Sequence, residues 1–126
     1  MELWRAGRAF TLTGHAAGPP HLWFVLTDPD PSKVVAVRVV TARPHTDKTV
    51  ILAAGDHPFV RHDSSVDYGS ATFLVVGKVQ AAIKAGRCHL QPDMSAALLE
   101  QVRKGLLASP RTMHAVVTHC REVFGR

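Results

Sequence analysis

The sequence has few cysteines, few aromatic side chains and no long uninterrupted apolar run. Its two cysteines, Cys88 and Cys120, form no CxxC pair and no disulfide framework, so we expect a reducing compartment. The longest apolar stretch is interrupted by Arg38, which argues against a membrane span. The opening segment MELWRAGRAF lacks the apolar region of a signal peptide. Together these absences predict a cytoplasmic protein.

Motifs for nucleotide and metal cofactors are absent as well. Neither GxxxxGK[ST] nor GxGxxG occurs. The adjacent pairs Cys88-His89 and His119-Cys120 would point in different directions on a regular element, and His114 does not have the i, i+4 spacing of a helical zinc pair to His119. Aromatic residues interleaved with lysines, which base-stacking RNA readers use, are also lacking. We therefore expect no cofactor and no metal.

What the sequence does have is the composition of a single globular domain with excess positive charge. Its 126 residues predict one domain over 1–126, and 46% apolar with 20% charged residues is a globular profile. The net charge of +5 favours an anionic partner, either nucleic acid or an acidic protein segment.

The chain divides into a strand-rich part, 1–76, and a helical part, 77–126. Lys33 to Thr41 (KVVAVRVVT) is the clearest strand, and its continuous apolar character suits a strand covered on both faces. The other predicted strands are Trp4 to Thr11, Leu22 to Thr27, Thr49 to Leu52 and Ala71 to Val76.

Three helices are predicted in the second part. The first covers Lys78 to Ala85, and the second covers Met94 to Ala108 with Asp93 as its cap. The third begins at Ser109-Pro110 and stops near Gly125. Its apolar stripe at helical spacing comprises Met113, Val116, Val117, Cys120 and Phe124. Strands followed by helices predict an α+β protein, a small sheet or barrel covered by C-terminal helices.

Several segments resemble the PemK/MazF/Kid toxin family. Gly18 to Thr27 (GPPHLWFVLT) resembles the family's basic-residue–proline segment that leads into an apolar strand. Val34 to Thr41 resembles the next strand, Asp63 to Ala71 the crossing into a later strand, and Met94 to Leu107 the C-terminal helix. The piece GDHPFVRHDSSVDY is similar to a PemK-like branch of unassigned activity.

The resemblance implies an SH3-like β-barrel with helices packed on it. It also implies a metal-independent endoribonuclease of a type II toxin–antitoxin system, homodimeric and neutralised by an acidic antitoxin protein. His21 and Thr41 match the family's basic and hydroxyl catalytic positions. The loop after the strand that ends at Thr41 contains Arg43 and His45, which the resemblance places beside the RNA groove.

Metal-free RNA cleavage needs a base for the 2′-hydroxyl proton, an acid for the leaving 5′-oxygen and donors that hold the phosphorane. The cluster in GDHPFVRHDSSVDYGSA supplies such groups. We assign His21 or His62 as acid and base and Arg61 as the phosphate clamp, because a planar guanidinium matches phosphate. Thr41 and Ser65 would donate to the phosphate, and Asp63 would orient a histidine or act as base.

Each of these assignments has a structural alternative. His21 can be an exposed loop residue, Thr41 can simply end a strand, and the aspartate and serines can cap turns. Tyr68 is expected to be structural, with a packed ring and a bonded hydroxyl.

Arg38 also has two interpretations. It can contact RNA or a protein interface, or it can lie on an edge strand, where its guanidinium is paired or reaches solvent.

At the level of the whole chain, the alternative function is a non-catalytic barrel that binds protein or nucleic acid. A barrel with an unrelated small-molecule site ranks last.

Overall fold

The structure is a computed structural model that describes residues 4–13 and 18–126. Residues 1–3 and 14–17 lie outside the described part, and the single-domain assignment of 1–126 stays a prediction. Within the described part the strands are β1 (Ala9–Leu12), β2 (His21–Val25), β3 (Lys33–Thr41), β4 (Ile51–Leu52), β5 (Ser64–Val75) and β6 (Cys88–Gln91). The helices are α1 (Val76–Lys84), α2 (Ala96–Ala108) and α3 (His114–Phe124).

The strands form one antiparallel sheet in the order β4-β5-β3-β2-β1-β6. The sheet curls into half of a barrel, with β4 and β6 at its edges. The longest pairing joins β3 to β5 and places Thr41 opposite Ser64. The predicted α+β class, a small curled sheet with helices, is confirmed.

The β3 valines contribute to apolar clusters on both faces of the sheet. Val35 and Val37 pack in the larger cluster with residues of α2 and α3, whereas Val34 packs in the smaller cluster with Val79 of α1. Burying each such side chain stabilises the fold by about 1.5–3 kcal/mol. The prediction that this strand is covered on both faces is therefore confirmed.

The two cores also contain both cysteines. Cys120 belongs to the larger cluster and Cys88 to the smaller one, and both thiols are free and buried. Burial raises the pKa of each thiol to about 11. The thiols are therefore protonated and unreactive at neutral pH, and Cys120 lies in the core as its position in the apolar stripe predicts.

The observed strands differ from the predicted ones most at β5 and β6. β5 begins at Ser64 rather than Ala71, because Ser64 to Asp67 continue the ladder with the end of β3. The ladder is irregular between Ala36 and Arg38, and the Ser70 hydroxyl bridges this irregularity by accepting from Arg38 N–H at 3.0 Å and donating to Asp67 O at 2.7 Å. β6 interrupts the part that was expected to be helical; it is a four-residue edge strand whose partner, β1, lies far away in sequence.

The helix starts also differ. The cap of α2 is Ser95, whose hydroxyl accepts from Leu98 N–H at 3.1 Å, while Asp93 forms ion pairs with Arg5 and Arg8. The third helix begins at His114, with Met113 in the cap position, rather than at Ser109-Pro110. The stop at Gly125 is confirmed, because that residue adopts the left-handed conformation with φ of 71°.

Tyr68 joins β5 to α2. Its hydroxyl donates to the carbonyl oxygen of Val102 at 2.8 Å, and the side chain is fully buried. Burial, with a smaller contribution from the charge of Asp47, raises the pKa of Tyr68 well above its usual value. The hydroxyl therefore stays protonated and able to donate, which confirms the expected structural role.

Candidate functional site

Three neighbouring depressions lie along the surface where β2 and β3 meet the β4–β5 loop. The central pocket has a volume of about 320 Å³, and its lining consists of Pro19, Pro20, His21, Leu22, Val39, Val40, Thr41, Phe59, Val60, Arg61, His62 and Ser64. A second depression, the Phe59 pocket, is lined by Pro58, Phe59, Arg61, His62, Gln91 and Pro92. The third, the arginine pocket, is lined by His21, Arg38, Val40, Thr41, Arg43, His45, Thr46, Asp67 and Arg111. The central pocket shares residues with each of the other two, so the three depressions lie side by side, and we call them together the groove.

Thr41 and His62 are in direct contact at the centre of this groove. Thr41 Oγ1 lies 3.0 Å from His62 Nε2, and either atom can donate, depending on the imidazole tautomer. Thr41 is the last residue of β3, and His62 precedes β5, so the β3–β5 ladder brings them together. Ser64 Oγ donates to His62 O at 2.9 Å and holds the loop in place. Two residues that are 21 apart in the sequence thus meet at one point of the surface.

His21 and Arg61 complete the central pocket. His21 is the first residue of β2, so it lies where the strand emerges at the groove. Arg61 is exposed in the loop beside His62 and lines both the central and the Phe59 pocket. Four of the six residues assigned to catalysis therefore line a single pocket.

Ser65 and Asp63 are placed differently. Ser65 is fully buried, and its hydroxyl donates to the backbone carbonyl of Asp47. Ser64 lines the central pocket, whereas Ser65 lines none of the three depressions. Asp63 is exposed, and its backbone carbonyl accepts from Ala42 N–H at 3.1 Å. It is not among the residues that line the three depressions.

The arginine pocket contains the three residues that the sequence placed beside RNA. Arg38 pairs with Asp67 on the neighbouring strand, with Nη2 2.9 Å from Oδ2. Arg43 and His45 are exposed in the turn that follows β3, where Thr46 Oγ1 accepts from Arg43 N–H at 3.0 Å. Their contact with RNA stays a prediction, but all three line one depression next to Thr41.

Asp47 connects the two segments that contribute Arg43 and Arg111 to the arginine pocket. Its buried carboxylate accepts from Thr49 N–H at 2.9 Å, from the Thr49 hydroxyl and from the Ser109 hydroxyl. Burial raises the pKa of Asp47, but the hydrogen bonds from Ser109 and Thr49 and the charge of Arg111 outweigh burial and leave that pKa below its ordinary value. Asp47 is therefore a charged anchor between the loop after β3 and the segment between α2 and α3.

Sequence reasoning did not identify Ser64, Phe59 or Arg111 as groove residues. No sequence signal separates Ser64 from Ser65, because both are buried serines at the start of β5. Arg111 reaches the groove from the α2–α3 segment because Ser109 bonds to Asp47 instead of capping α3. No local pattern signals that long-range bond.

Metal ligation receives no support from the side-chain positions. Among residues 4–13 and 18–126, no group of three or more His, Cys, Asp or Glu side chains is placed to hold a metal ion. His62 instead contacts the Thr41 hydroxyl, and His21 and His62 line the central pocket with Arg61, an arrangement suited to proton transfer and anion binding.

No family model and no curated protein matches the chain. Among solved structures, the chain is similar to one in the crystal structure of MazE–MazF from Deinococcus radiodurans. The superposition has a TM-score of 0.56, at 18% sequence identity, and covers 84% of this chain and 94% of that one. The chain has a MazF-like fold. That likeness confirms the fold that the resemblance to PemK, MazF and Kid predicts.

The likeness to that structure is one of fold, and it does not extend over the whole chain. The superposition leaves part of this chain unmatched, since it covers 84% of the residues. None of the helices in the described part of the MazF-like chain is long and apolar enough to cross a membrane.

Proposed function

We propose that this MazF-like chain is the toxin of a type II toxin–antitoxin pair and cleaves RNA without a metal ion. The contact between Thr41 and His62 in a groove that also contains His21 and Arg61 is the observation that carries the proposal. The likeness to a MazE–MazF structure supports it at the level of the fold.

The chemistry assigned to the groove is attack of a ribose 2′-hydroxyl on the adjacent phosphorus. One histidine, His21 or His62, takes the hydroxyl proton, and the other gives a proton to the departing 5′-oxygen. The P–O5′ bond breaks as the 2′-oxygen bonds to phosphorus, so the products carry a 2′,3′-cyclic phosphate and a 5′-hydroxyl. The Thr41 contact orients the imidazole of His62 for this transfer.

Arg61 supplies the positive charge for the phosphorane. Its guanidinium can donate two parallel hydrogen bonds to phosphate oxygens as negative charge develops on them. The apolar side of the central pocket, formed in part by Leu22, Val39 and Phe59, suits a nucleobase. Asp63 stays a candidate for orienting a histidine once RNA is bound, whereas the buried Ser65 is assigned to the fold.

The proposed partners follow from charge and exposed apolar surface. The net charge of +5 suits both RNA and an acidic segment of an antitoxin laid in the same groove. Phe73, Met113 and Val123 are large apolar side chains that are exposed in the single chain, which supports a homodimer. A cytoplasmic location completes the proposal, because RNA substrates and reduced thiols occur there.

The test is cleavage of RNA by the purified protein in the presence of EDTA. We expect cleavage to give 2′,3′-cyclic phosphate ends, and His62→Ala to reduce the rate about 100-fold or more, because it removes a proton-transfer group. His114→Ala is the matched control: it removes an exposed histidine at the start of α3, outside the three depressions, and should cleave at the wild-type rate.

Two other outcomes would contradict the assignment. If the His62→Ala and His21→Ala variants both cleave RNA at the wild-type rate, these histidines do not transfer protons in the reaction. Intact RNA at micromolar protein, with RNA binding retained, would favour the non-catalytic binding module instead.

A further inference from the structure

The arginine pocket continues the central pocket. The two depressions share His21, Val40 and Thr41, so an RNA strand that lies in the central pocket can reach the arginine pocket. Their chemistry differs, because most residues that line the first pocket are apolar, whereas most of those that line the second are polar or charged. A base fits the first pocket and a phosphate fits the second.

The arginine pocket has a formal excess of positive charge. Three arginines and one aspartate line it. Arg38 pairs with Asp67, which is the one acidic residue of the lining. Arg111 interacts with the Asp47 carboxylate behind the lining, so the three arginines of the pocket still outnumber the two nearby carboxylates. His45, which also lines the pocket, is a further possible donor.

Arg111 is held in place before any ligand arrives. Its Nη2 donates to the His45 carbonyl oxygen at 3.1 Å, and its backbone N–H donates to Ser109 Oγ at 3.1 Å. Ser109 is in turn bonded to the buried Asp47 carboxylate. Arg111 is nevertheless exposed, and a guanidinium carries several N–H donors, so one bond to His45 leaves donors for a phosphate. An arginine ordered in this way loses less conformational entropy on binding.

We infer that the arginine pocket binds the RNA phosphate next to the scissile one, with Arg111 and Arg43 as its ligands. The inference rests on the proposed function, and it adds a contact from the segment between α2 and α3. Asp47 and Ser109 are positioning residues for this contact. The pocket therefore contributes affinity without taking part in bond cleavage.

The test measures how salt weakens RNA binding. The probe is a short fluorescent 2′-O-methyl RNA of randomised sequence, which lacks the attacking hydroxyl and stays intact, and binding is followed by fluorescence anisotropy at several salt concentrations. Loss of a charged hydrogen bond weakens binding about tenfold at low salt. Arg111→Gln should show that loss, and the slope of log affinity against log salt should fall by about 0.7, the value for one phosphate of a single strand.

Variants separate a phosphate ligand from a structural role. Arg111→Lys keeps the charge and should keep the wild-type salt slope, with part of the affinity lost. Arg87→Gln, an exposed arginine between α1 and β6 and outside all three depressions, should bind as the wild type does. An Arg111→Gln protein with lower thermal stability but an unchanged salt slope would overturn the inference.

The failure of the inference is distinguishable from that of the proposed function. If wild type and Arg111→Gln bind the probe with equal affinity and equal slope, the phosphate site is wrong and the cleavage proposal stands. If the wild type binds no RNA even at low salt, both the phosphate site and the cleavage proposal are contradicted.

Discussion

The imidazole of His57 connects the two edges of the curled sheet through the backbone at Pro92. His57 lies in the loop between β4 and β5, and Pro92 follows β6. His57 Nε2 donates to the Pro92 carbonyl oxygen at 2.6 Å, while Nδ1 accepts from Phe59 N–H at 3.1 Å. The two bonds fix one neutral tautomer, since Nδ1 must be unprotonated to accept. The buried ring also packs edge-on against Phe24.

Replacing His57 should therefore destabilise the fold and disorder the loop that presents Phe59 to the groove. His57→Ala removes two hydrogen bonds and leaves a cavity against Phe24, so we expect a loss of about 2–4 kcal/mol in the free energy of unfolding. Urea denaturation measures this loss. His114→Ala, at an exposed site, should change the free energy by less than about 0.5 kcal/mol. Equal stabilities for the two variants would contradict the bridging role.

Gly105 should not tolerate alanine, although alanine normally favours a helix. A Cβ at Gly105 would lie 2.1 Å from Tyr68 Oη and 2.5 Å from Val50 Cγ2, so both neighbours would have to move. Overpacking of this kind costs about 1–3 kcal/mol or more and would break the bond from Tyr68 to Val102. Thermal denaturation of Gly105→Ala measures the cost.

Gly77→Ala is the control for that experiment. Gly77 is also helical, but an added Cβ there meets nothing within 4 Å. The Gly77→Ala substitution should leave the free energy of unfolding unchanged or raise it by up to about 1 kcal/mol. A stable Gly105→Ala protein would mean that α2 lies farther from β5 than the structure places it.

Acid should lower the free energy of unfolding because it protonates the Asp47 carboxylate. Its pKa in the folded chain lies below the ordinary value of 3.8, so its stabilisation is fully present above that pH and is lost as the pH falls through the folded pKa. Asp47→Asn should remove this part of the pH dependence. The difference in unfolding free energy between wild type and variant should be larger at pH 7 than at the acid end, and parallel pH profiles would contradict it.

The sequence predicted the elements that local patterns define and missed those that depend on distant partners. The apolar run of β3 was placed correctly from Lys33 to Thr41, and the stop at Gly125 follows from a conformation that glycine adopts without strain. β6 was missed because its pairing with β1 has no local signal. The sequence led to the selection of His21, Thr41, Arg61 and His62, and these four residues line one pocket. Ser65 was selected as well, but it is fully buried and its hydroxyl donates to the Asp47 carbonyl oxygen.

The carboxylate of Asp47 has a consequence for how the molecule opens. The carboxylate accepts from the Ser109 hydroxyl in the segment between α2 and α3, and the backbone carbonyl of Asp47 accepts from the Ser65 hydroxyl on β5. Asp47 lies in the same loop as Arg43. Loss of these bonds would free the loop after β3 both from the segment between α2 and α3 and from the Ser65 hydroxyl. Amide exchange in the loop after β3 and in the segment between α2 and α3 should therefore be governed by one shared opening event.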